Sequence, residues 1–175
     1  MIFLASCSSS KESMEEIWLM ADADNAVQAE IFSVWTNYSF ILEFVIDAKT
    51  PEDYAYIVGR IDGPLRWSPI QRMKSLSNIS QEHVDTLIPI NLQEPLYKFV
   101  DNVGIHQQQI KANIEAKKLD ELHKHDLQMQ EIIDAVRELN NLSNRFLTDL
   151  VESAETLRIL ESSNMLIENV LNNED

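Results

Sequence analysis

Every glycine and proline in the chain falls between positions 51 and 104: Pro51, Gly59, Gly63, Pro64, Pro69, Pro89, Pro95 and Gly104. These residues end or interrupt regular elements. Their clustering leaves a punctuated middle between two long arms that contain no strong breaker. Apolar side chains in the arms recur at alternating spacings of three and four, the signature of one face of a helix. In the first arm, about Glu12 to Asp47, the row is Ile17, Met20, Val27, Ile31, Val34, Tyr38, Ile41 and Val45, with one gap at Asp24; Trp35 and Leu42 widen it. Phe40 to Ile46 is also rich in strand-favouring residues and could pair with Tyr54 to Val58 as a β-hairpin over 38–58. The in-phase continuation of the row upstream favours helix.

The second arm carries Leu119, Leu122, Met129, Ile133, Val136, Leu139, Phe146, Leu150, Leu157, Leu160 and Leu171 at mostly the same spacing. Asn140-Asn141-Leu142-Ser143-Asn144 is the expected break, because Asn and Ser side chains compete for helical hydrogen bonds. The expectation is one helix over about 94–139, ~69 Å long at 1.5 Å per residue, and a second over 143–172. The middle, 50–93, holds short helices with recognisable starts. Thr50-Pro51-Glu52-Asp53 combines a capping residue, proline at the first helical position and acids in the first turn. Ser68-Pro69 repeats the signal, Ser80-Gln81-Glu82 opens a helix ending before Pro89, and Gly63-Pro64 is a turn. The fold class expected is mainly α: long amphipathic helices packed as an antiparallel bundle or coiled coil, with short helices and turns between. Residues 12–175 form a single helical domain behind an amino-terminal segment, 1–11.

That segment contains the only cysteine, so the fold stands without an internal disulfide. Leu4-Ala5-Ser6-Cys7 resembles the lipobox of bacterial lipoproteins: Leu, a small residue, then Gly, Ala or Ser, then Cys. The resemblance covers only this end of the chain. It implies cleavage before Cys7, lipidation of its thiol and acylation of the new amino terminus, a membrane anchor of more than one acyl chain. Ser8-Ser9-Ser10-Lys11 would be the tether, and serine after the cysteine resembles the outer-membrane sorting choice. A signal peptide also needs a basic region and about 7 to 15 apolar residues; no Lys or Arg precedes Cys7, and Met1 to Ala5 is short. A start upstream, with Met1 inside the apolar stretch, reconciles the two. The alternative is a cytoplasmic chain with Cys7 an ordinary thiol.

Net charge is −15, a field that repels nucleic acid and suits partners with a basic face. Both ends are acidic and the middle is near neutral. Arg60, Arg66, Trp67, Arg72 and Lys74 form a basic, tryptophan-bearing stretch there, a candidate contact for a partner or for anionic headgroups; pairing with the acidic arms is the competing role. Glu121, His123, His125 and Asp126 concentrate potential metal ligands. Glu121 and His125 share a helical face, but zinc needs three or four converging ligands, so a solvated polar face is the expectation, as for His106 and His83. No nucleophile motif, phosphate loop or dinucleotide fingerprint occurs. The sequence thus points to a non-enzymatic lipoprotein of the cell envelope, at the outer membrane facing the periplasm, without a cofactor, metal or small-molecule substrate. It would act as a helical scaffold through a protein partner or self-association. The alternative is a soluble acidic cytoplasmic adaptor or inhibitor of a basic partner.

Overall fold

The computed structural model describes residues 32–62, 88–142 and 150–172, with the side chains of 140–142 and 150–153 left aside. Among the described residues there are six helices and no strand: α1 (32–47), α2 (Pro51–Asp62), α3 (Ile90–Glu115), α4 (Leu119–His123), α5 (Asp126–Leu142) and α6 (Leu150–Asn172). The mainly α expectation is met, and the stretch considered for a hairpin is two helices joined at residues 48–50.

The α1–α2 joint forms as its sequence dictates. Asp53 N donates to Thr50 Oγ1 at 3.2 Å, while Thr50 N and Lys49 N donate to Asp53 Oδ2 at 2.8 and 3.0 Å. This is a capping box closed by aspartate, which satisfies amide donors that a helix start leaves over. Those hydrogen bonds hold the Asp53 carboxyl below its ordinary range.

α3 is the seam of the molecule. Leu92, Leu96, Phe99, Val103, His106 and Ile110 recur at four, three, four, three and four, and all are buried. A row that regular faces one neighbouring surface along the whole helix. α6 packs on it most extensively, with α2 and α4 also against it, and α5 packs against α6. α1 contributes Val34, Tyr38, Ile41 and Val45 from its expected row, together with Trp35 and Leu42, to the same core. α5 contributes Met129, Ile132, Ile133, Val136 and Leu139.

The single helix expected over 94–139 is a correction. α3 begins earlier, at Ile90, and stops at Glu115; a turn at 116–118 and a corner at 124–125 divide the rest. The stop at 116–118 is a Schellman motif: Lys118 N donates to Asn113 O at 2.9 Å and Lys117 N to Ile114 O at 3.0 Å. The motif needs one residue in the left-handed region, usually glycine; here Lys117 takes it, at φ 58. Pro95, expected near the helix start, lies inside α3. α5 continues through Asn140 and Asn141 to Leu142. The short helices expected after Ser68 and Ser80, the first arm before residue 32 and the second helix before 150 lie outside the described residues.

A Cβ at a left-handed position crowds the following carbonyl oxygen and costs roughly 1 kcal/mol. Lys117→Gly relieves that cost against a smaller loss of backbone entropy, so the variant should be more stable by up to about 1 kcal/mol. Urea unfolding followed by circular dichroism measures the difference.

Candidate functional site

The region richest in titratable chemistry lies where α1, α3 and the α4–α5 corner meet. His106 occupies a core position of the α3 row, where the 3-4 spacing turns it inward regardless of its polarity. Its Nδ1 lies 2.7 Å from Tyr38 Oη of α1, with the two rings edge to face at 6.0 Å. Phe99, two steps back in the α3 row, meets Tyr38 edge to face at 6.3 Å. Burial, and secondarily the neighbouring His125, holds the His106 pKa down to about 4. Burial also raises the Tyr38 phenol well above its ordinary value. At neutral pH this is an uncharged polar contact in an apolar surround, and it needs no counter-ion.

His125 comes from the corner between α4 and α5 and is 4% exposed. Both its ring nitrogens are buried and meet no hydrogen-bond partner among the described residues. Gln128 Oε1, one helical turn on, is in the same condition. His123 faces the other way. Its Nδ1 is 3.1 Å from Asp126 Oδ1 and its Nε2 is 2.9 Å from Tyr54 Oη of α2. The corner is therefore tied to α2 through His123, while His125 is buried.

A solvated polar face was expected for His106 and for the 121–126 cluster, and both expectations need correction. His106 is only 2% exposed, because the spacing that buries its apolar neighbours buries it too. The corner at 124–125 destroys the helical face that Glu121 and His125 would share, sending His125 inward while Glu121 stays exposed. Among the described residues, no group of three or more His, Cys, Asp or Glu could hold a metal ion. His83 lies outside the described residues.

Of the basic stretch, Arg60 alone is described. Its Nη2 donates to Asn37 Oδ1 at 3.2 Å, and its guanidinium lies 5.1 Å from the centre of the Phe40 ring, a cation–π contact. Phe40, Phe44 and Tyr56 continue this aromatic strip at ring separations of 4.6 and 4.9 Å. Arg60 is thus engaged within its own chain. Arg66, Trp67, Arg72, Lys74 and Cys7 lie outside the described residues.

A second polar feature crosses between α3 and α6. Asn102 Nδ2 donates to Asn164 Oδ1 at 3.0 Å, and Asn164 Nδ2 donates to Pro95 O at 2.9 Å. Lys98 Nζ pairs with Glu168 at 2.8 Å at its edge, and this pairing with its hydrogen bond holds the Glu168 carboxyl below its ordinary range. An open cleft of about 560 Å³ beside it is lined by Glu94, Tyr97, Lys98 and Asp101 among others. Buried asparagines had no signal in the sequence beyond occupying positions adjacent to an apolar row.

No family model, no curated protein and no solved structure matches this chain. Among the described residues, no helix is long and apolar enough to cross a membrane.

Tyr38→Phe removes the hydroxyl and leaves a buried imidazole nitrogen without its partner. The expected loss is about 1–3 kcal/mol, read as a lower urea midpoint at pH 7 with an unchanged slope. No loss at all would mean that Tyr38 Oη and His106 Nδ1 are not bonded in solution.

Proposed function

We propose that this chain is a lipid-anchored helical interaction protein of the cell envelope, acting without catalysis as a scaffold or accessory to a protein partner. The observation that carries the reading is Leu4-Ala5-Ser6-Cys7 followed by the Ser8-Ser9-Ser10-Lys11 tether, set ahead of a helical domain. Lipidation of Cys7 and acylation of the new amino terminus provide the two or more chains that a stable anchor requires. The tether separates the domain from the membrane, and serine at position 8 favours the outer membrane over the inner.

The described side chains support a binding role over a chemical one. Several polar groups of the interior join helix to helix, as at Asn102–Asn164 and Tyr38–His106. The outer faces combine many carboxylates with a few large apolar side chains, Ile90, Ile105, Leu127 and Met165. Such a surface suits a partner whose own face is basic with apolar points. The net charge of −15 also supports the second reading, a cytoplasmic adaptor or inhibitor of a basic protein, which shares this binding chemistry but not the anchor.

Mass spectrometry separates the two. Expressed from its full reading frame in a bacterium with an outer membrane, the protein should begin at Cys7 carrying a diacylglyceryl thioether and an acylated amino terminus. It should partition into the outer-membrane fraction. Cys7→Ser should abolish both cleavage and partitioning. Recovery of the wild-type chain in the soluble fraction with Cys7 as a free thiol overturns the anchored reading and leaves the adaptor.

A further inference from the structure

α3 carries a second face beside its core row. Ile90, Glu94, Tyr97 and Asp101 recur at four, three and four, and they line the open cleft of about 560 Å³. A further cleft, of about 420 Å³, lies between α3 and α6, with Glu94, Pro95 and Lys98 on one side and Glu161, Asn164 and Met165 on the other. Glu94 and Lys98 border both, so the two clefts are halves of one groove that share an edge. The Asn102–Asn164–Pro95 hydrogen bonds tie its α3 and α6 walls together, which fixes the groove before anything enters it.

Each half holds an apolar side chain left in solvent, Ile90 at 76% exposure and Met165 at 64%. The charges around them are one-sided. Lys98 is the only cation among the described lining residues, and Glu168 holds its ammonium at 2.8 Å. Among the described residues, no cation engages Glu94 or Glu161. We propose that this α3–α6 groove is the docking site for an amphipathic helix of a partner protein, its apolar stripe flanked by lysine or arginine. The assignment rests on the binding role proposed above and gives that role a place on the surface.

The groove itself selects the occupant. A small molecule would remain largely in solvent in clefts this open, whereas small-molecule sites bury most of their ligand. A second copy of the chain would bring the same carboxylates and a net charge of −15, so like charges would meet across the contact. Nucleic acid and anionic lipid surfaces are repelled for the same reason. Among the described residues there is no strand edge for an extended peptide to join. Proline-rich segments dock on several aromatic rings, and Tyr97 is the only one lining the groove among the described residues. A helix remains, because its side-chain ridges repeat at the same spacing as the face formed by Ile90, Glu94, Tyr97 and Asp101. That face spans ~17 Å at 1.5 Å per residue, so about three turns of a partner cover it. Lysines on either side of the partner's apolar stripe would meet Glu94 and Glu161.

The probe is a synthetic peptide of about 14 residues, with leucine at 3-4 spacing and lysine on both sides of it. It is titrated into the full chain at about 0.15 M salt. Two variants receive the same change of charge. Glu94→Lys/Glu161→Lys alters the groove, and Glu52→Lys/Glu131→Lys alters exposed carboxylates of α2 and α5. The groove variant should bind the peptide on the order of 10-fold more weakly than wild type, and the control variant within about twofold. Equal weakening in both means that the peptide senses net charge alone; it overturns the groove and leaves the binding role standing. No binding to the wild type also overturns the groove, while the mass of the processed Cys7 terminus still decides the anchored reading. Binding that appears only after Arg66, Arg72 and Lys74 are replaced by alanine gives the groove to the chain's own basic stretch and overturns a partner helix. Should the groove variant fail to fold, amide shifts of the wild type decide. Changes centred on Ile90, Glu94, Tyr97, Glu161 and Met165 support the groove, and changes centred elsewhere overturn it.

Discussion

The packing of α3 against its neighbours is the contact on which the other helices depend. Its row from Leu92 to Ile110 keeps a strict 3-4 spacing over nineteen positions' worth of helix, about five turns. A seam that long presents one continuous buried face, and α6, α2 and α4 all pack against α3. Apolar contact alone specifies such packing loosely, since one leucine layer resembles the next. The Asn102–Asn164–Pro95 hydrogen bonds remove that freedom between α3 and α6: sliding by one turn would break both bonds and leave the buried Asn102 and Asn164 side chains without these partners. The seam provides the attraction, and the asparagines choose the register.

Much of this arrangement was legible in the sequence, and the physical reason is local. Val34, Tyr38, Ile41 and Val45 lie buried where their spacing placed them, as do Met129, Ile133, Val136 and Leu139. The α2 start was readable because Thr50, Pro51 and Asp53 act through bonds within a single turn. Helix periodicity also decided correctly against a hairpin at 38–58, because a row in phase over many residues outweighs the strand preference of a few.

What could not be read depended on distant partners or unusual conformations. The break at 116–118 is made by Lys117 in a conformation that glycine usually supplies, so no residue there announces it. His106 was legible as an isolated polar side chain but not as a buried one. Only membership in the Leu92–Ile110 row, which runs on both sides of it, could have shown that it faces inward, and the row becomes apparent once α3 is known to begin at Ile90. The fate of His123 depended on a distant partner, Tyr54 of α2, 69 positions away. The lipobox resemblance around Cys7, by contrast, is a matter of sequence pattern alone.

The turn at Ala116–Lys118 governs more than local geometry. If those residues stayed helical and the 124–125 corner straightened, α3, α4 and α5 would run on as one rod of on the order of 50 residues and ~80 Å. No other helix of the described chain approaches that length, since α6 has 23 residues. The seam would then outrun any other described helix of the chain. That the chain folds back on itself therefore depends on two short breaks, the corner at 124–125 and a three-residue elbow with one lysine held left-handed at its centre.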